Sequence, residues 1–265
     1  MNRLEGSRIL VTGAASGIGQ ATAWRLLAEG AAVVAADISA AGLDKTRAQA
    51  DAAGTGGRLA TLEMNIADEQ SVVDGVRSGV ETLGGLDSLV NAAGILRAAH
   101  THQMSVELWN EIIGVNLTGT FLVVRESLPA LLTNPRSVVV NFSSTSASFA
   151  HPYMAAYAAS KGGIQSFTHA LALEYGGAGL RAVCVAPGSI KSGITDATAG
   201  YLPPDTDWSL LAKLSPILPT TTKLESTGSA MADPSAVASV VAMLVSDDGA
   251  FITGTEIRID GGTHA

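Results

Sequence analysis

The sequence contains a single cysteine, Cys184, among 265 residues. One thiol cannot form an intrachain disulfide and cannot supply the ligand set of a zinc site. The residue lies in the apolar run 183–186 (VCVA), which is typical of a buried strand. The histidines His100, His102 and His264 have no partners at metal-ligand spacing. We therefore expect a buried, structural thiol and no metal centre.

Basic residues are also scarce. The chain has 16 Lys and Arg against 24 Asp and Glu, which gives a formal net charge of −8. Proteins that bind nucleic acids usually carry a basic patch or stripe, and the sequence has no cluster of Lys and Arg. This composition argues against nucleic acid and against an anionic membrane surface as partners.

Long hydrophobic runs are missing as well. No segment approaches the roughly 18 uninterrupted apolar residues of a membrane-spanning helix. The first residues, MNRLEGSR, lead directly into a predicted strand and do not resemble a signal peptide. Apolar residues nevertheless make up 47% of the chain, which is enough to bury a sizeable core. We expect a cytoplasmic protein with no membrane partner.

Short apolar runs alternate with segments of helical spacing. The runs predict strands at 9–11, 32–36, 59–64, 86–90, 138–140, 182–186 and 257–259. Helices are predicted at 17–29, about 40–53, about 72–83, about 105–132, about 154–175 and 234–246.

This alternation indicates the fold class. Strands that are apolar on both faces and connected by helices form parallel sheets covered on both sides. We predict an α/β fold with a doubly wound (Rossmann) parallel sheet of about seven strands. No linker divides the chain, so we predict one domain, 1–265, in which the unpatterned segment of about 188–230 is a substrate lid.

A glycine-rich turn, TGAASGIG (12–19), follows the first predicted strand and begins the first predicted helix. Gly13, Gly17 and Gly19 allow the backbone to approach a ligand closely, and the N–H groups of a helix N-terminus favour an anion such as a pyrophosphate. Such a turn can also be a simple chain reversal. Its position between a strand and a helix favours binding of a dinucleotide.

Asp37 ends the second predicted strand, 18 residues after Gly19. A carboxylate at this position can accept hydrogen bonds from both hydroxyls of an adenosine ribose and would repel a 2′-phosphate. No Arg or Lys lies in the glycine turn or beside Asp37, so the sequence favours NAD over NADP. The alternative is that Asp37 caps the helix that begins near Ser39.

Further fragments carry a family resemblance. They are NAAG (91–94), Asn116, NFSS (141–144), YAASK (157–161) and PGSIKS (187–192). In this order, and with the glycine turn, they resemble the short-chain dehydrogenase/reductase family over nearly the whole chain, and ITGTEIRIDGG (252–262) is similar to its C-terminal segment. The resemblance implies an oxidoreductase that interconverts a secondary alcohol and a ketone with NAD as the hydride acceptor.

The resemblance also implies the catalytic residues. Tyr157 and Lys161 are one helical turn apart, so their side chains meet, and we expect the ammonium to lower the pKa of the phenol so that Tyr157 acts as general acid and base. Ser144, 13 residues before Tyr157, is expected to hold the substrate oxygen. Asn116 is expected to position a water that links Lys161 to solvent. Ser143 and Ser146 are the alternatives to Ser144.

The same resemblance implies a set of cofactor contacts. They come from the glycine turn, the ends of the predicted strands and the catalytic helix: Gly13, Ser16, Gly17, Ile18, Gly19, Asp37, Asn65, Ile66, Asn91, Ala92, Gly94, Tyr157, Lys161, Pro187, Gly188, Ile190 and Ser192. Asn65 stands where the family usually has Asp, and Ser192 stands where it often has Thr. Both residues keep a group that can form hydrogen bonds.

The substrate is less well defined by the sequence. His151, Tyr153 and Met154 precede Tyr157, and Leu96 and Arg97 follow NAAG, so all five are candidates for the substrate pocket. The apolar side chains of the lid could line that pocket or could equally pack on each other: Tyr201, Leu202, Trp208, Leu210, Leu211, Leu214, Ile217 and Leu218.

The sequence also predicts an assembly and leaves two alternative functions to be considered. Apolar residues on more than one face of the two long helices, with the family resemblance, predict a homotetramer that pairs through these helices. One alternative function is a reductase of 3-ketoacyl chains on an acyl carrier protein, which Asp37 and the net charge disfavour. The other is a dinucleotide-binding regulator without turnover, which the retained Ser144, Tyr157 and Lys161 disfavour.

Overall fold

The computed structural model describes residues 2–198, 200–220, 222–223 and 230–265. Positions 199, 221 and 224–229 of the predicted lid lie outside the described residues. Among the helices of the described part, none is long and apolar enough to cross a membrane.

A parallel sheet of seven strands forms the centre of the molecule. The strands of the whole described chain, including two outside this sheet, are in chain order β1 (Arg8–Thr12), β2 (Ala32–Asp37), β3 (Leu59–Glu63), β4 (Ser88–Asn91), β5 (Val138–Phe142), β6 (Arg181–Pro187), β7 (Thr222–Lys223), β8 (Ala230–Met231) and β9 (Glu256–Ile259). The sheet order is β3-β2-β1-β4-β5-β6-β9, and β7 pairs with β8 in a separate antiparallel ribbon. The seven predicted strands are confirmed, with ends shifted by a few residues.

Helices cover both faces of the sheet. They are α1 (Gly17–Ala28), α2 (Ala40–Ala52), α3 (Glu69–Leu83), α4 (Val106–Ile113), α5 (Thr120–Leu131), α6 (Ala155–Tyr175), α7 (Gly193–Thr198), α8 (Trp208–Ala212) and α9 (Ser235–Leu244). The structure therefore confirms the predicted doubly wound α/β architecture.

The core is divided by the sheet into two layers, because successive strand residues point to opposite faces. On one face Ile9 and Val11 pack with buried residues of α1, α2 and α9. On the other face Leu10 packs with buried residues of α3, α5 and α6. Ile9, Leu10 and Val11 of β1 all have no exposed surface, and burial on both faces of the sheet explains why the central strands are continuous apolar runs in the sequence.

Two features differ from the predicted elements. The predicted helix over about 105–132 is interrupted by a π-helical segment, Gly114–Gly119, between α4 and α5. Within it the Asn116 side chain bonds to the main chain of Ile95, outside the helix. The lid segment, for which no pattern was found, contains α7, α8 and the β7-β8 ribbon. These elements are too short to produce a readable periodicity.

The sheet order reverses beside β1. The chain builds β1, β2 and β3 outward in one direction and then places β4 on the other side of β1. The connections after β1 and β4 therefore leave in opposite directions and open a crevice at the carboxyl ends of these strands, which is where ligands bind in open α/β sheets.

The opposite, amino edge of the sheet is held by Asp87. Its Oδ2 accepts hydrogen bonds from N and Nε of Arg8, at 2.9 and 3.0 Å, and its Oδ1 accepts from Nη2 of Arg8 at 2.6 Å and Nδ2 of Asn134 at 2.9 Å. Burial acts to raise the pKa of Asp87, but the hydrogen bonds from Arg8 and Asn134 hold it below its ordinary value. The ionised carboxylate thus ties the start of β1 to the segments before β4 and β5.

Replacing Asp87 with Asn tests this interaction. We expect Asp87→Asn to lower the free energy of unfolding by about 1–3 kcal/mol at pH 7, since it removes charge-assisted hydrogen bonds. Because the folded-state pKa is lowered, the contribution is present above the unfolded pKa of about 3.9 and is lost as the pH falls through the folded value. Urea unfolding at pH 7 and below pH 4 measures the difference.

The matched control is Asp74→Asn, which breaks an exposed pair with Arg77 at 3.4 Å. Such pairs contribute about 0–1 kcal/mol, so this variant should unfold close to the wild type. An Asp87→Asn protein as stable as the control at pH 7 would contradict the role of Asp87.

Candidate active site

A cavity of about 660 Å³ occupies the crevice at the carboxyl edge of the sheet. Its walls come from the turns after β1, β2, β4, β5 and β6, from α6, and from the lid segment with α7 and α8. One end is therefore built by the glycine turn and the other by α6 and the lid segment.

The glycine turn requires glycine at the positions that face the cavity. Gly13 and Gly17 have φ angles of +70° and +53°, a backbone conformation that favours glycine. A Cβ atom at Gly17 would lie 2.9 Å from Cβ of Ser192, across the cavity wall. Ser16, the N-cap of α1, makes no side-chain capping bond. The first N–H groups of α1 therefore remain for a ligand, as in anion sites at helix N-termini.

Asp37 lies at the cavity wall where β2 ends. Its Oδ2 accepts a hydrogen bond from the N–H of Ala15 at 3.0 Å, and its Oδ1 accepts one from the N–H of Ser39 at 2.9 Å. The cap of α2 is Ser39, whose Oγ accepts from the N–H of Gly42. The carboxylate is thus fixed between the glycine turn and α2 while it faces the cavity.

Most of the predicted cofactor contacts line this one cavity. They are Gly13, Ser16, Gly17, Ile18, Gly19, Asp37, Asn65, Ile66, Ala92, Gly94, Tyr157, Lys161, Pro187, Gly188, Ile190 and Ser192. Ile38, Met64 and Thr145 also line the cavity and were not among the predicted contacts. Ile38, which directly follows Asp37, is apolar but 64% exposed. Its exposure marks it as a candidate ligand contact, but this exposure is visible only in the structure.

Asn91 does not line the cavity. It is buried below it, where its Nδ2 donates to Oδ1 of Asn141 at 2.9 Å. The chain of side-chain hydrogen bonds continues from Asn141 to Thr168, which also accepts from the thiol of Cys184. Burial raises the pKa of Cys184 to about 12, so the thiol is protonated and part of the core. Asn91 therefore links β4 to β5 and contributes no surface to the cavity.

Tyr157, Lys161 and Ser144 meet at the cavity. Tyr157 and Lys161 occupy one face of α6, with Nζ of Lys161 5.6 Å from the centroid of the Tyr157 ring. Nζ donates a hydrogen bond to the carbonyl oxygen of Phe142 at 2.7 Å, which fixes the ammonium at the end of β5. Ser144, two residues further along, is buried at the same wall.

The two neighbouring serines are placed differently. The hydroxyl of Ser143 donates to the carbonyl oxygen of Lys161 at 3.3 Å, so it is engaged with the main chain although the residue lines the cavity. Ser146 is buried and does not line the cavity. Ser144 is therefore the serine best placed to contact a substrate beside Tyr157.

Asn116 lies in the π-helical segment, behind the cavity wall. Its Oδ1 accepts from the N–H of Ile95 at 2.8 Å, and its Nδ2 donates to the carbonyl oxygen of Ile95 at 2.9 Å and to Oγ of Ser160 at 3.0 Å. A Cβ at Gly94 would come within 3.1 Å of Asn116 Oδ1 and 3.6 Å of Lys161 Nζ. Asn116 thus fixes the loop after β4 next to Lys161.

The expected lowering of the Tyr157 pKa is wrong for the protein alone. Burial raises the pKa of Tyr157, and its hydrogen-bond partner Ser144 offsets this only in part. Burial also lowers the pKa of Lys161 to about 8. The reason is that both charged forms lose solvation in the crevice, and the Lys161 ammonium donates to Phe142 and not to the phenol. At neutral pH the pair is a phenol beside an ammonium.

The substrate end of the cavity is partly apolar. Of the residues predicted there, Leu96, His151, Met154, Leu202, Trp208, Leu211 and Leu214 line it. Tyr153 and Arg97 instead hold the lid: the N–H of Asp207 donates to the Tyr153 hydroxyl at 2.9 Å, and the Arg97 guanidinium lies 4.5 Å from the centroid of the Tyr201 ring. His100 and Asp205 add an exposed contact of 2.8 Å.

Comparison with known proteins agrees with this geometry. The family model described as short chain dehydrogenase matches residues 7–200. The 3-oxoacyl-[acyl-carrier-protein] reductase FabG of Thermotoga maritima is 36% identical over 260 residues, covering 98% of each chain.

Two solved structures align along nearly the whole chain. The first is a short chain dehydrogenase from Burkholderia cenocepacia in complex with NADP, with a TM-score of 0.84, 30% identity and full coverage of both chains. The second is carveol dehydrogenase from Mycobacterium avium in complex with NAD, with a TM-score of 0.87, 26% identity and 99% coverage of both. From the matched family model and these likenesses, the chain belongs to the short-chain dehydrogenase family.

Proposed function

We propose that this protein is an NAD-dependent oxidoreductase that interconverts a secondary alcohol and a ketone. The observation that carries the proposal is the position of Tyr157, Lys161 and Ser144 in the same cavity as the glycine turn and Asp37. The glycine turn and Asp37 would hold a dinucleotide at one end of this cavity, and the phenol lies at the other.

The residues present fit a nicotinamide dinucleotide. The N-terminus of α1 and the glycines at 13 and 17 suit a pyrophosphate, Asp37 suits the adenosine ribose, and Lys161 suits the ribose next to the nicotinamide. The cofactor would supply hydride transfer, from the carbinol carbon in oxidation and to the carbonyl carbon in reduction.

The side chains supply binding and proton transfer. Ser144 donates a hydrogen bond to the reacting oxygen of the substrate, and Tyr157 transfers the proton. In reduction the neutral phenol gives its proton to the carbonyl oxygen. In oxidation the phenol first releases its own proton to solvent, and the phenolate then takes the proton of the alcohol. Lys161, fixed by Phe142, stabilises the phenolate that oxidation requires. Asn116 holds the loop beside Lys161 and acts as a positioning residue.

Replacing Tyr157 with Phe tests the proton-transfer role. We expect Tyr157→Phe to lower kcat by about 10²–10⁴-fold, the range for loss of a general acid or base. Binding of NADH, followed by its fluorescence, should stay near that of the wild type. Tyr175→Phe, in the last turn of the same helix and away from the cavity, is the matched control and should keep full activity.

The assay follows NADH absorbance with a panel of secondary alcohols and ketones. Turnover that survives in Tyr157→Phe would contradict the assigned role. Binding of NADH by the wild type without turnover of any compound in a broad panel would favour a non-catalytic regulator, the alternative from another class.

Asp37 supports NAD as the preferred dinucleotide. The Asp37 side chain lines the cavity, and none of the described lining residues near it is a Lys or Arg. A 2′-phosphate at this place would meet the carboxylate without a compensating cation.

Replacing Asp37 with Asn should reduce the preference for NADH over NADPH. Removing the charge weakens charge-assisted hydrogen bonds worth about 1.5–3 kcal/mol. We therefore expect the dissociation constant for NADPH, divided by that for NADH, to fall by about 10–100-fold. Fluorescence titration with each reduced cofactor measures the ratio.

Glu63→Gln is the control for this titration. Glu63 is the strand neighbour of Asp37 in β3, is exposed and does not line the cavity. Removing the Glu63 charge should leave the ratio of the NADPH and NADH dissociation constants unchanged. An unchanged ratio in Asp37→Asn would contradict the role of the carboxylate.

A second candidate is the reduction of 3-ketoacyl chains on an acyl carrier protein. The observation that favours it is the 36% identity to the reductase of Thermotoga maritima. An acidic carrier suits a basic surface, whereas this chain has a net charge of −8. Acetoacetyl thioesters in the substrate panel, with NADH and NADPH, separate the two candidates.

We further propose that four copies assemble through α4, α5 and α6. Apolar side chains on these helices remain exposed, led by Leu173 at 88%, Val106 at 67% and Phe121 at 42%. Burial of such side chains between copies would remove apolar surface from water.

Light scattering tests the assembly. The wild type should show a mass four times that of the chain, and the double variant Phe121→Glu with Leu173→Glu should show a smaller mass, because it would bury unpaired carboxylates. A wild-type protein of single-chain mass would contradict the tetramer.

A further inference from the structure

His151 is a polar side chain of the substrate end that the proton-transfer mechanism does not use. It lines the cavity together with Ser144 and Tyr157. Its Nε2 lies 3.2 Å from Oγ1 of Thr145, the residue that follows Ser144. Within the described residues the imidazole has no other hydrogen bond, so Nδ1 is left for a ligand.

The charge state of His151 restricts what it can bind. Burial, assisted by repulsion from His264, lowers the pKa of His151 to about 4. The imidazole is therefore neutral at physiological pH, with one N–H donor. If the Thr145 hydroxyl donates to Nε2, the proton of the ring is on Nδ1 and can be donated to an oxygen in the cavity.

Residues 258–264 pack beside His151. The His264 ring stacks on Phe149, with centroids 4.2 Å apart and an angle of 1° between the planes, and its centroid is 5.7 Å from that of His151. The Arg258 guanidinium lies over the Phe149 ring, 5.0 Å from its centroid. The main-chain N–H of His264 donates to Asp260. Residues 258–264, which we call the tail, thus form a packed layer behind His151.

The tail also belongs to the cavity wall. Thr263 lines the cavity, and the carbonyl oxygen of Gly261 accepts hydrogen bonds from the N–H groups of Ile217 and Leu218 in the lid segment. Nε2 of His264 is sealed from solvent and has no hydrogen-bond partner among the described residues. The layer behind His151 is therefore polar and incompletely paired, which is unusual for a wall that serves packing alone.

The geometry points to a second recognition site: we propose that Nδ1 of His151 donates a hydrogen bond to a second oxygen of the substrate, so that the enzyme selects an uncharged alcohol or ketone that carries another hydroxyl or carbonyl group. This inference rests on the proposed function. The reacting oxygen is assigned to Ser144 and Tyr157, and His151 reaches a different part of the same molecule.

The remaining lining explains why this substrate is uncharged. Lys161 is the one Lys or Arg among the described lining residues, and its ammonium is already bound to the carbonyl of Phe142. A carboxylate or phosphate on the substrate would find no free cation there and would have to protonate a buried imidazole. Apolar side chains such as Met154 and Trp208 suit the hydrocarbon part of the molecule.

The test measures binding without turnover. Cyclohexanol and the 1,2-, 1,3- and 1,4-cyclohexanediols are titrated by calorimetry into protein saturated with NADH, where an alcohol cannot react. We expect at least one diol to bind about tenfold or more tightly than cyclohexanol, because a site with a buried donor discriminates against a ligand that leaves the donor unpaired.

Variants identify the group responsible. His151→Leu should bring the ratio of diol to cyclohexanol affinity close to one, and His151→Asn, which keeps an N–H donor, should retain part of the preference. Thr145→Val removes the partner that sets the ring proton and should lower the ratio as well. His169→Leu, at an exposed position of α6 outside the cavity, is the matched control and should keep the wild-type ratio.

The outcomes separate this inference from the proposed function. Equal affinity of the wild type for cyclohexanol and all three diols, no binding of any of them, or a preference that persists in His151→Leu with intact NADH binding, would overturn the role of His151. The oxidoreductase function is judged by turnover and by Tyr157→Phe. Selective binding that depends on His151, without any turnover, would support the recognition site and contradict the proposed reaction.

Discussion

The ammonium of Lys161, buried and bound to the carbonyl oxygen of Phe142, is the constraint around which the site is arranged. A buried cation is unfavourable unless it is hydrogen-bonded, and here the acceptor is the main chain at the end of β5. This bond fixes the first half of α6 against the sheet. Tyr157 is one turn away on the same helix, so the phenol acquires a defined position from the same interaction.

The two edges of the sheet have different tasks. At the amino edge, Asp87 joins Arg8 and Asn134 in a compact network that is complete within the protein. At the carboxyl edge, the N-terminus of α1 and Nδ1 of His151 are left for ligands, and the Ser144 hydroxyl lies at the cavity beside its hydrogen-bond partner Tyr157. The central strands β1, β4 and β5 are almost entirely buried, so the site stands on the centre of the core.

The strands, the doubly wound topology and most of the cavity lining could be predicted from the sequence. Apolar runs report burial directly, and glycines at positive φ, such as Gly13 and Gly17, have few alternatives in the genetic code. The motifs then place Ser144, Tyr157 and Lys161 at strand ends and on one helix face, which needs no knowledge of side-chain packing.

Other features depend on distant contacts that no local pattern records. The π-helical segment is associated with bonds between Asn116 and the loop after β4, 21 residues earlier. The direction of the Tyr157 pKa depends on burial, which the spacing of Tyr157 and Lys161 does not reveal. The tail has no periodicity, and its contact with Phe149 joins residues more than 100 positions apart in sequence.

The lid is attached to the body at its rim by contacts of a particular kind. Arg97 with Tyr201, His100 with Asp205, and the Tyr153 hydroxyl are all at or near the surface, where single polar contacts contribute about 0–1 kcal/mol. Segments held in this way open locally while the core stays folded. Substitutions at these rim positions would therefore act on the segment alone and leave the stability of the central sheet unaltered.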